Sequence, residues 1–335
     1  MNNRSTAQPL KHCADPCAFA CVDDCVMDPV ESSVEEIGLE EALARFRKEA
    51  RKGTCKTSRS RLPFFTWGEG PPLLFIHGVS DNAASFIPVI SRLSRKFCCI
   101  AYTQAGMPGD QANFDWYQHE DLVADALAIL DNLKVDSTFV FGSSFGSTVT
   151  IQAMRKHPER FQKAVLQGGL CYRPLSRREH LIASIARWVP GRMKNMPMRV
   201  KIGKALNGSF FKRRPPSTWD YFIETTGKTP IRTFAQQVLI LNRLDLRPVL
   251  PEVRQPVLLL CGEKDVVTGP RHAKMLHDGL PSAVIATIPG CGHTPSYTHP
   301  EILVEAVSRF LLSDRPVEKI RRQDSSPAIH PEGRL

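Results

Sequence analysis

Thr138-Phe139-Val140-Phe141-Gly142-Ser143-Ser144-Phe145-Gly146 is the stretch on which the fold turns. A short β-type run leads into a G-x-S-x-G pentapeptide, and the residues beyond it, to about His157, have helical character. A serine between a strand and a helix sits on a turn tight enough to push its hydroxyl out at the carboxyl end of a sheet. Flanking glycines let neighbouring backbone approach without a Cβ collision. Gly142 and Gly146 make Ser144 the central residue and leave Ser143 as a small turn residue.

Working outward from this turn, apolar runs alternate with helical patterns. Leu73–Ile76 and Phe97–Tyr102 lie upstream, and Ala164–Leu166, Val257–Leu260 and Ala283–Ile288 downstream. Runs that are apolar throughout belong to strands covered on both faces. Between two of them, Leu122, Ala126, Ile129, Leu130 and Leu133 make one helical stripe. This grammar predicts an α/β fold with a mostly parallel, doubly wound sheet. The alternation lapses between about Cys171 and Val253, too long a gap for a plain crossover. It predicts an inserted helical cap at 172–252 that divides the core into 36–171 and 253–313.

A serine hydroxyl is a poor nucleophile at neutral pH. It needs a general base, and the base needs an acid to hold its tautomer and stabilise its cation. Downstream, Asp265 follows one strand in Gly262-Glu263-Lys264-Asp265, and His293 follows the next in Gly290-Cys291-Gly292-His293. Both fall at carboxyl edges of the expected sheet, where ligands gather. Other histidines read as scaffold or surface: His77 and His299 as scaffold, and His119, His157, His272 and His277 as solvent-facing among charged neighbours. Asp245 reads as the partner of Arg243 or Arg247.

From about Leu62 to Leu312 the chain resembles the α/β-hydrolase superfamily, on Phe75-Ile76-His77-Gly78, the turn around Ser144, the Gly262-to-Asp265 loop and Gly292-His293. The resemblance implies Ser144 as nucleophile, His293 as base and Asp265 as orienting acid, with the backbone N–H groups of Val79 and Phe145 as an oxyanion hole. It implies no cofactor and no metal. A serine, not an aspartate, at the turn decides against haloalkane dehalogenase and epoxide hydrolase chemistry. Thr103-Gln104-Ala105-Gly106-Met107-Pro108-Gly109 lacks the aspartate relatives often carry there, and the loop His77-Gly78-Val79 lacks a triple glycine, which suits a short-acyl or specialised ester hydrolase. The reading is therefore a serine hydrolase of carboxylic esters or thioesters acting on a small-molecule acyl substrate. The same triad serves carbon–carbon bond hydrolases and acyltransferases, and the fold also serves non-catalytic ligand receptors.

The 335 residues carry 42% apolar content, ample for a buried core, with 44 Lys+Arg against 34 Asp+Glu for a formal charge of +10. From Arg173 to Arg214 the chain holds twelve Lys or Arg and one acid, Glu179, so everything else sums to about −1. Apolar residues such as Ile182, Trp188 and Ile202 interleave with these charges. A basic, aromatic-bearing helical segment suits an anionic membrane surface or an acidic carrier protein. Nucleic acid is disfavoured, because no zinc-finger spacing or ribonucleoprotein aromatic motif accompanies the patch.

No apolar export signal opens the chain and no apolar run is long enough to span a bilayer, which predicts a cytoplasmic protein, peripheral to a membrane at most. Cys13, Cys17, Cys21 and Cys25 step by four, but Pro16 interrupts any helix that would align them, and metal motifs use closer pairs. Residues 1–35 read as a flexible tail with thiols open to acylation, and 314–335 as a disordered second tail.

Overall fold

The computed structural model describes residues 37–107 and 117–313; the cysteine ladder and both expected tails lie outside the described residues. Among the described residues eight strands make one sheet: β1 (Arg51–Lys56), β2 (Arg61–Trp67), β3 (Pro72–Ile76), β4 (Cys98–Tyr102), β5 (Thr138–Ser143), β6 (Phe161–Gln167), β7 (Val257–Gly262) and β8 (Ala283–Ile288). Their spatial order is β1-β2-β4-β3-β5-β6-β7-β8. β2 runs antiparallel to both neighbours, and every pair from β4 to β8 is parallel. The reversal between β4 and β3 and the onward march through β5 make this the doubly wound sheet the apolar runs predict.

Alternation within the strands explains the two-sided burial. Leu74, Ile76 and Val140 enter one apolar layer, with α3 (His119–Asn132), α4 (Phe145–Lys156) and Leu276 of α9 (Gly269–Gly279). Leu73, Phe75 and Phe141 enter the other, with α1 (Leu39–Glu49), α2 (Ile87–Leu93) and α10 (Pro300–Leu311). Each such side chain, fully buried, contributes about 1.5–3 kcal/mol.

Between β6 and β7 stand α5 (Arg177–Ala186), α6 (Arg199–Asn207), α7 (Pro216–Gly227) and α8 (Ile231–Arg243). This insertion is latched to the loop after β3. Asn82 Nδ2 donates to the Thr225 carbonyl at 3.0 Å, Ser80 Oγ to the Thr226 carbonyl at 3.1 Å, and Ser80 N to Gln237 Oε1 at 3.2 Å. On its other side Arg214 pairs with Glu301, which also accepts from Arg92 at 2.9 Å. No helix among the described residues is long and apolar enough to cross a membrane.

Two histidine expectations are corrected. His119 is buried, its Nε2 3.0 Å from Thr148 Oγ1, and desolvation lowers its pKa to about 4. His277 is buried as well. Their charged neighbours Glu120 and Asp278 occupy the outer helix faces, and a helix turns adjacent positions about 100° apart. His157 is only half-exposed and His272 half-buried. Asp245 does pair with Arg247, at 2.6 Å.

Candidate active site

Ser144 links β5 to α4 with φ 49° and ψ −117°, a left-handed conformation that costs a non-glycine residue energy and persists only where its surroundings fix it. The fixing contacts are close. Ser144 N donates to the Gln167 carbonyl at 2.8 Å, and a Cβ placed on Gly146 would stand 2.1 Å from the Ile76 carbonyl oxygen. At Gly142 it would stand 2.4 Å from Thr150 Oγ1. Both glycines are therefore required by close approach of neighbouring segments.

The structure brings Ser144, His293 and Asp265 together from the ends of β5, β8 and β7. Ser144 Oγ lies 3.1 Å from His293 Nε2, and His293 Nδ1 lies 2.8 Å from Asp265 Oδ2. Asp265 has a buried carboxylate that also accepts from Val267 N at 2.8 Å, Thr268 N at 3.1 Å and Thr268 Oγ1 at 2.9 Å. Burial pushes its pKa up, but the His293 hydrogen bond and charge, with the two N–H donors, outweigh burial and bring it down to about 2. An ionised acid facing Nδ1 favours the proton on that nitrogen, which leaves Nε2 free to accept from Ser144.

The loop carrying Val79 lies against the serine: a Cβ on Gly78 would be 3.1 Å from Ser144 Cβ. Phe145 opens α4, so its N–H belongs to the first turn, whose donors have no intrahelical acceptor. His77 braces this loop from behind. Its Nδ1 is 2.9 Å from the Gly78 carbonyl and its Nε2 accepts from Gln104 N at 2.9 Å, with burial lowering its pKa to about 4. After β4, where the resemblance led to the expectation of an aspartate, Thr103 Oγ1 accepts from Ala83 N at 3.2 Å and ties this loop to the one after β3.

A pocket of about 340 Å³ opens over these groups, walled by Val79, Ser144 and His293 on the core side and by Ile202, Leu206 and Phe222 from the insertion. Residues 71–300 match the family model for the alpha/beta hydrolase fold.

The chain belongs to the α/β-hydrolase family.

Among relatives of this α/β hydrolase, the 2-(acetamidomethylene)succinate hydrolase of Mesorhizobium japonicum is 25% identical over 262 residues, covering 73% of this chain and 89% of the relative. The pimeloyl-[acyl-carrier protein] methyl ester esterase of Nitrosomonas europaea is 26% identical over 261 residues, covering 71% and 95%. A hydrolase from Pseudomonas aeruginosa superposes with a TM-score of 0.71 at 20% identity, covering 78% of this chain and 99% of its own. An esterase from Thermogutta terrifontis gives a TM-score of 0.69 at 20% identity, covering 78% and 98%.

Three residues of this hydrolase's site escape sequence reasoning. Gln167 ends β6 and ties the serine turn to the histidine loop, accepting from Ser143 Oγ at 2.8 Å and donating to the His293 carbonyl at 3.1 Å. Thr268 clamps Asp265. Asp81 stands at the pocket, its carboxylate accepting from the Asn82 N–H at 3.1 Å, and desolvation pushes its pKa up to about 7. Only Gln167 carried a signal, as a polar residue closing the apolar run Ala164–Leu166. Arg199, one of the twelve basic residues of the Arg173–Arg214 segment, turns inward to donate to the Ile223 carbonyl at 3.1 Å and lines the pocket.

Proposed function

We propose that this α/β hydrolase cleaves carboxylic esters or thioesters of small acyl substrates through an acyl-Ser144 intermediate. The observation that carries the reading is the continuous row of hydrogen bonds from Ser144 Oγ through His293 to Asp265, ending at the pocket wall. His293 Nε2 takes the serine proton as Oγ attacks the acyl carbon, and the carbonyl electron pair moves onto oxygen, facing the Val79 and Phe145 N–H groups. Collapse expels the alcohol or thiol with the proton from His293. Water, deprotonated by the same nitrogen, then releases the acid and restores Ser144. Asp265 stays ionised throughout and stabilises the imidazolium.

The esterase named among the relatives supports an ester as the scissile bond. A pocket of about 340 Å³ sits at the small end of ligand sites and supports a short or medium acyl group. Buried free thiols at Cys55, Cys99, Cys171, Cys261 and Cys291 support a reducing, cytoplasmic setting.

The test is a panel of p-nitrophenyl esters from acetate to decanoate. The wild type is expected to turn over the shorter members, and Ser144→Ala, folded by its melting curve, to lose at least about 10³-fold in kcat. Equal turnover by the folded variant contradicts the assignment.

A further inference from the structure

The outward face of the insertion carries apolar side chains that its own packing does not use. On α5 and the turn after it, Leu181, Ile182, Ile185, Trp188 and Val189 follow a helical stripe, and all are exposed, Ile182 at 66% and Trp188 at 74%. The helix meets the rest of the protein through the small residue Ala183 instead, which is buried. α6 repeats the pattern with Met198 at 64% and Ile202 at 53% exposed. Soluble surfaces seldom leave consecutive helices with their large apolar side chains in water.

The charges around these stripes narrow the occupant. Arg177 and Arg178 begin α5, and Arg187 stacks on the Trp188 ring at 5.0 Å, while Lys201 and Lys204 stand exposed on α6. The segment from Arg173 to Arg214 has one acid against twelve bases. A second copy of the chain would oppose like charges, which disfavours self-association through this face. Protruding apolar side chains flanked by basic ones, with a tryptophan among them, fit the boundary of an anionic bilayer, where stems enter the acyl region and cations meet headgroup phosphates and carboxylates.

We propose that α5 and α6 dock this protein on the surface of an anionic phospholipid bilayer. Ile202 belongs both to the exposed stripe of α6 and to the pocket wall, so docking brings the pocket mouth to the lipid. Delivery of membrane-dissolved esters to Ser144 rests in addition on the acyl-serine reading; docking does not.

The experiment is sedimentation of the full chain with vesicles of phosphatidylcholine and phosphatidylserine at 7:3, against phosphatidylcholine alone, in moderate salt. The protein is expected to sediment with the anionic vesicles and to show a fluorescence blue shift that Trp188→Phe removes. Ile182→Asp with Trp188→Ser is expected to reduce partitioning about tenfold or more, and Arg177→Glu with Arg178→Glu to remove much of the dependence on phosphatidylserine. Turnover of soluble p-nitrophenyl acetate and the melting temperature stay unchanged in these variants, which separates failure of docking from failure of the hydrolase reading. Absence of sedimentation, or sedimentation indifferent to both double variants, overturns the proposal. Binding to polyglutamate without binding to vesicles overturns it in favour of an acidic protein partner.

Discussion

Gln167 and His293 are joined by a 3.1 Å hydrogen bond from the Gln167 side-chain amide to the His293 carbonyl, while the other end of the same amide accepts from Ser143, next to Ser144. One buried side chain thus sets the distance between the turn that carries the candidate nucleophile and the loop that carries the candidate base.

Gln167→Leu keeps the volume but severs both bonds. It is expected to lower kcat about tenfold with a smaller change in KM, since the geometry of the row is disturbed while the side-chain volume at this part of the pocket wall is kept. Steady-state kinetics on a soluble ester checks this. A change confined to KM contradicts it.

Asp265→Asn leaves a neutral amide facing His293 Nδ1, which favours the wrong tautomer, and kcat is expected to fall about 10³–10⁴-fold. The wild-type carboxylate also links folding to pH. Its pKa, lowered from 3.8 to about 2, gives stability that is present above pH 4 and lost as pH falls towards 2. The amount is about 2 kcal/mol, and it is absent from the variant, so the two acid-denaturation curves should converge below pH 2.

Asp81 works in the opposite direction. With its pKa raised from 3.8 to about 7, the folded protein holds a proton that the unfolded chain has released, so stability falls as pH rises through that window and is flat above it. Asp81→Asn removes the penalty. Because the carboxyl is only partly enclosed, the gain is expected to be about 1–2 kcal/mol at pH 8 and none at pH 4, read from denaturant melts at the two pH values.

Gly146→Ala drives a methyl group into the Ile76 carbonyl. The expected cost is about 1–3 kcal/mol, with a fall in activity because β3 carries the loop to Val79. Thermal melting and ester turnover should decline together.

The sheet core was legible because β3 to β8 are apolar runs, and those two-sided strands announce themselves in a single sequence. β1 and β2 were not, since Arg51-Lys52-Gly53-Thr54-Cys55-Lys56 is an edge strand with one solvated face and no apolar run, and Arg61–Trp67 mixes exposed and buried positions around Pro63. Ser144, Asp265 and His293 could be read because each follows a strand on a glycine-marked turn. Asp81, Thr268 and the inward turn of Arg199 could not, because long-range packing of the insertion against the core defines them.

The central claim is that Ser144, activated by His293, is the nucleophile, and a fluorophosphonate probe with peptide mapping by mass spectrometry tests it most directly. Stoichiometric labelling confined to the peptide bearing Ser144, slowed about 10³-fold or more in His293→Ala and abolished in Ser144→Ala, is the predicted result. Labelling at another residue, or undiminished labelling in folded His293→Ala, would contradict the account.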